Sequence, residues 1–71
     1  MTVASLEELT PRERRVAHLA SRGLSNKVIA YRLGITLGTV KIHMHHVFTK
    51  LGLNNRGELS FMILSQREQA S

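Results

Sequence analysis

The stretch Ser25-Asn26-Lys27-Val28-Ile29-Ala30-Tyr31-Arg32-Leu33-Gly34-Ile35-Thr36-Leu37-Gly38-Thr39-Val40-Lys41 decides how this chain folds. Ser25 reads as a helix N-cap, and Ile29, Ala30 and Leu33 after it share one face of a short helix. Gly34 permits the positive φ that ends the helix and reverses the chain within three residues. Thr36 then caps the next helix. Helices joined this tightly approach closely only where the contact residue is small, and Ala30 is the small residue on the inner face. Val40 plugs the crossing from the second helix, with Ile29, Leu33 and Ile35 around it.

Outward from this pair, cap and stop residues place two more helices. Thr10-Pro11-Arg12-Glu13 has capping-box spacing with proline where no N–H is needed; Val16, Leu19 and Ala20 supply an apolar stripe, and Gly23 supplies a left-handed stop. Gly52 ends the third helix after Leu51, and Asn55-Arg56-Gly57-Glu58 repeats the box spacing before a fourth. The prediction is an all-α domain over residues 9–66, with helices at about 11–22, 26–33, 37–51 and 56–66. Residues 1–8 form an N-terminal arm, from which Leu6, like Leu9 just beyond it, docks on the core, and residues 67–71 form a frayed tail. No strand-like alternation occurs anywhere.

The 71 residues include no cysteine, so one apolar core must hold the domain without disulfides or thiolate ligands. Ten Lys and Arg against five Asp and Glu give a formal charge of +5, which favours phosphate backbones or anionic surfaces. Phe61-Met62-Ile63-Leu64, the longest apolar run, is too short to span a bilayer, and no signal segment precedes the domain, so a soluble cytoplasmic chain with no membrane role is expected.

At about 100° per residue, Val40, Met44, Val47 and Leu51 gather on one side of the third helix with Leu37 and Phe48 beside them. Gly38, Ile42, His45 and Thr49 face away, flanked by Lys41 on one edge and by Thr39, His46 and Lys50 on the other. The close-packed pair with Ala30, Gly34 and Val40 resembles a helix-turn-helix. In that setting an exposed Ile42 has a use, since an aliphatic side chain contacts the thymine methyl while Lys41 donates to guanine O6 and N7. Ser25, Asn26 and Lys27 open the second helix, where free N–H groups and the Asn and Lys side chains converge on a phosphate.

Leu9-Thr10-Pro11-Arg12-Glu13, Gly23-Leu24-Ser25-Asn26-Lys27, Ile29-Ala30, Thr39-Val40-Lys41 and Lys50-Leu51 fall in one order that resembles the LuxR/FixJ/GerE-type DNA-binding domain, from about Leu6 to Ile63. The resemblance implies a four-helix LuxR-type helix-turn-helix domain of a transcription regulator, such as the output end of a response regulator. It implies binding to double-stranded DNA as a homodimer through the fourth helix. Positions matching Lys41, Ile42 and His45 tend to meet base edges in that family. Those matching Asn26, Lys27, Thr36, Thr39, His43 and Lys50 tend to lie near the backbone. The chain departs from the family at Leu37-Gly38, where a Glu and a small residue are common, so base preference does not carry over.

Other readings stay open at this point. A helix-turn-helix can instead dock on RNA polymerase as a protein-interaction module, with weak, sequence-blind DNA binding. Phe61 and Leu64 point away from the Leu59, Met62 and Ile63 stripe of the fourth helix; they suit a second subunit, or else cover the arm or meet another domain. His43, His45 and His46 suggest a metal, yet only His43 and His46 share a face and no Cys or carboxylate accompanies them in that helix. No nucleophile–base pair, paired carboxylates or phosphate-cradling glycine loop points to an enzyme, and neither a cofactor nor a small-molecule ligand is expected.

Overall fold

A computed structural model describes residues 6–70, with side chains described through residue 66. The first five residues of the expected arm, the side chains of residues 67–70 and Ser71 lie outside the described residues. A 3-10 turn at Leu6–Glu8 precedes four helices: α1 (Pro11–Ser21), α2 (Asn26–Leu33), α3 (Leu37–Leu51) and α4 (Arg56–Ala70). The backbone of α4 thus continues past the expected end at residue 66. Gln66-Arg67-Glu68-Gln69-Ala70 is a run of good helix formers without Gly or Pro, so nothing in it stops the helix.

The caps explain where the helices begin. Thr10 Oγ1 accepts from the Glu13 N–H at 3.1 Å and Glu13 Oε1 accepts from the Thr10 N–H at 3.0 Å, closing a capping box. Ser25 Oγ accepts from Val28 N–H at 3.2 Å, and Thr36 Oγ1 accepts from Thr39 N–H at 3.1 Å. At α4 the expected box is modified: Asn55 Oδ1 accepts from Glu58 N–H at 2.9 Å, but the Glu58 carboxylate takes the Asn54 N–H at 2.7 Å, one residue before the cap.

Gly34 and Gly52 terminate α2 and α3 at φ of 68° and 67°. Beyond each, the chain bonds back across the end of the helix, Ile35 N–H to Ala30 O at 3.0 Å and Leu53 N–H to Phe48 O at 2.9 Å. This closure satisfies carbonyls that would otherwise be unpaired, and it turns α2 into α3 within Gly34, Ile35 and Thr36.

α1 lies against both α3 and α4, and α2 lies against α3. Val16, Ile29, Val40, Val47 and Leu59 are fully buried where these helices meet, each stabilising by about 1.5–3 kcal/mol relative to exposure. Leu9 is buried and Leu6 packs on the core, as expected of both. Two details differ from the sequence reading. Ala17 is buried on α1 while Leu19 is half-buried, and Leu37 is exposed rather than part of the α3 core stripe. Leu37 is the first residue of α3, beside the turn, and is 41% exposed.

Candidate nucleic-acid interface

α3 is held by four buried residues on one side, Val40, Met44, Val47 and Leu51, so its orientation is set by the core. The opposite side is open. Ile42 is 57% exposed, and Lys41, His45, Gly38 and Thr49 are exposed around it. The structure therefore brings the three expected base-reading residues, Lys41, Ile42 and His45, onto one accessible face. Among the described residues none of these three makes a side-chain hydrogen bond or ion pair; His45 only leans on the His46 ring at a centroid distance of 6.1 Å.

The residues expected near the backbone are less uniform. Lys27 and Thr36 are exposed, Thr39 is half-buried, and the Thr36 and Thr39 hydroxyls lie 2.9 Å apart at the start of α3. The Ser25 hydroxyl caps α2 and leaves the first N–H groups of that helix without helical acceptors. His43 is half-buried with Nδ1 enclosed and unpartnered among the described residues.

Asn26 and Lys50 are both engaged within the protein. Arg56, at the first position of α4, donates through Nη2 to Asn26 Oδ1 and through Nη1 to Leu24 O at 3.0 Å. Lys50 Nζ donates to Glu13 Oε1 at 2.7 Å, and His46 Nδ1 lies 3.2 Å from Glu13 Oε2. Glu13 is only 4% exposed, on the face of α1 turned toward α3. Burial pushes its carboxyl pKa up, but the Lys50 ammonium, the Thr10 N–H and His46 outweigh burial and lower it from 4.5 to about 2. The buried carboxylate is thus kept ionised and ties the flank of α3 to α1.

Neither Glu13 nor Arg56 was singled out for this region from sequence. For Glu13 a signal existed: residues 13, 16, 17 and 20 form an i, i+3, i+4, i+7 stripe, and a carboxylate inside a buried stripe needs cationic partners. For Arg56 there was none, because its partners lie about thirty residues earlier and meet it only once α4 packs beside the α1–α2 turn.

On α4, Leu59 and Ile63 are buried while Phe61 and Leu64 are 73% and 57% exposed, as the helix periodicity predicted. Among the described residues no three His, Asp or Glu side chains gather as a metal site, and no helix is long and apolar enough to cross a membrane.

A tight helix pair with a capped anchor at the start of α2 and an unobstructed Lys-Ile-His face on α3 defines a helix-turn-helix DNA-binding module. The luxR family of bacterial regulatory proteins matches residues 7–63, and the chain belongs to that family, whose members are DNA-binding transcription regulators rather than enzymes. It is 42% identical to the nitrate/nitrite response regulator NarL of Escherichia coli over 66 residues, 93% of this chain and 31% of that protein. It is 43% identical to the two-component response regulator PprB of Pseudomonas aeruginosa over 56 residues, 79% of this chain and 20% of that protein. A putative HTH-type transcriptional regulator of Mycobacterium tuberculosis is 55% identical over 51 residues, 72% of this chain and 6% of that protein. The chain spans less than a third of the length of each of these relatives.

Proposed function

We propose that the domain binds double-stranded DNA sequence-specifically, with α3 in the major groove, to regulate transcription as the output module of a response regulator. The observation that carries this reading is the free face of α3, where Lys41, Ile42 and His45 are exposed and make no side-chain hydrogen bond or ion pair among the described residues, on a helix fixed from behind by its core stripe. Lys41 suits guanine O6 and N7, Ile42 suits a thymine methyl, and His45 adds a base-edge hydrogen bond. Ser25, Asn26, Lys27, Thr36, Thr39 and His43 hold the phosphates on either side. Lys50 contributes less to that set than its charge suggests, because it shares its ammonium with Glu13. Phe61 and Leu64 join two copies through α4, giving the two-fold symmetry that paired half-sites require.

The test compares two classes of substitution on duplexes selected from a random DNA pool. Lys41→Ala and Ile42→Ala are expected to relax discrimination between sites, by about 1–3 kcal/mol for the bidentate base contact and less for the methyl contact. Lys27→Ala is expected to weaken every duplex alike and to lower the salt slope by about one. Should both classes behave alike, the groove assignment is wrong. Weak, sequence-blind DNA binding with co-purifying RNA polymerase would favour a protein-docking module instead.

A further inference from the structure

Arg56 does something for the interface that its position on a different helix conceals. Its guanidinium lies in the open cleft between the α1–α2 turn and the start of α4, half-buried, with one nitrogen on Leu24 O and the other on Asn26 Oδ1. A guanidinium has donors and no acceptor, whereas a primary amide has a donor end and an acceptor end. Arg56 therefore pairs only with the oxygen of Asn26. The Asn26 Nδ2 group is left facing away, and it has no hydrogen-bond partner among the described residues.

We propose that Arg56 is a positioning residue for DNA binding: it fixes the Asn26 amide so that the NH₂ end, and not the oxygen, is presented to a DNA phosphate at the start of α2. This rests on the DNA-binding reading above. The chemistry demands such a control, because a flipped Asn26 would place a carbonyl oxygen against an anionic oxygen and repel it. The same bidentate contact, through Leu24 O, holds the turn that carries Ser25 and Asn26, so both the orientation of the donor and its location are set from α4. Lysine cannot substitute, since one ammonium on a flexible stem does not span two acceptors with fixed geometry.

The experiment measures affinity for one selected duplex and one unrelated duplex at several salt concentrations, with folding checked by circular dichroism. Arg56→Ala and Asn26→Ala are each expected to weaken both duplexes about five- to tenfold, as for the net loss of one ordinary hydrogen bond, leaving the ratio between duplexes unchanged. The double variant should be no weaker than Asn26→Ala within twofold. Arg56→Lys should match Arg56→Ala, and it stands in for that variant if the alanine protein does not fold. Asn26→Asp, which keeps a partner for Arg56 but presents a second oxygen, should bind more weakly than Asn26→Ala. Ser60→Ala removes a separate tie between α4 and α1, Ser60 Oγ to Ser21 O at 3.3 Å, and should leave affinity within twofold of the parent. Additive single effects, full rescue by Arg56→Lys, or a folded Arg56→Ala protein that binds like the parent would overturn the assignment while leaving DNA binding intact. A parent that binds no duplex would overturn the DNA reading and this assignment with it.

Discussion

Replacing Glu13 by Gln removes one charge from the only buried ionised side chain described in the core while keeping its shape. The amide can still accept from the Thr10 N–H, so the cap at α1 survives in large part; Lys50 and His46 lose their anion. The Glu13 carboxyl pKa is lowered from 4.5 to about 2, which corresponds to roughly 3.4 kcal/mol of differential stabilisation. That figure is an upper bound. The Lys50 and His46 side chains are 37% and 49% exposed, so water screens the contacts and solvates both side chains once the carboxylate is gone. A loss of about 1.5–3 kcal/mol at pH 7 is therefore expected, against a total stability of about 4–11 kcal/mol for a domain of this length. Since the folded-state pKa lies below the unfolded one, the ionic contribution is complete above about pH 5 and is lost as pH falls toward 2. Urea unfolding of parent and Glu13→Gln at pH 7, 5, 4 and 3 reads this directly: the gap should hold to pH 5 and shrink by about half by pH 3. A gap that stays constant from pH 7 to pH 3 would refute the ionic account and assign the effect to packing or to the cap.

Two further outcomes follow from single positions. A methyl added at Gly38 meets only the Thr36 hydroxyl, at 3.9 Å, so Gly38→Ala should raise stability by up to about 1 kcal/mol in a thermal melt; if α3 lies deep in the groove, the same methyl should weaken DNA binding several-fold. Leu64→Arg should leave the fold intact, because Leu64 is exposed, and should halve the sedimenting mass of a dimeric parent; an unchanged dimer would exclude that face of α4.

Local chemistry made most of the fold legible. Thr10, Ser25 and Thr36 cap the helices they were expected to cap, and the left-handed Gly34 and Gly52 end α2 and α3 where the glycines stand. These signals act within four or five residues, a range over which sequence and geometry are nearly equivalent. The exposed face of α3 was legible for the same reason: once Val40, Met44, Val47 and Leu51 face the core, the helical repeat puts Ile42 and His45 outside. The ties that fix the face were not legible. Lys50 reads as a free cation until α1 brings Glu13 to it across 37 positions, and Arg56 reads as a solvated first-turn residue until Leu24 and Asn26 arrive beside it. Leu37 failed for a related reason, since a heptad-like position is buried only if another helix lies over it, and α3 begins before one does.

The absence of side-chain hydrogen bonds and ion pairs at Lys41, Ile42 and His45 among the described residues separates two kinds of inheritance in this molecule. Substitutions at those exposed positions break no hydrogen bond or ion pair, whereas changes at Glu13, Val40 or Leu59 disturb the core. If DNA is read as proposed above, the surface that selects a target is thus free to drift, be exchanged or be engineered while the scaffold stays constant, and a change of operator requires no new fold.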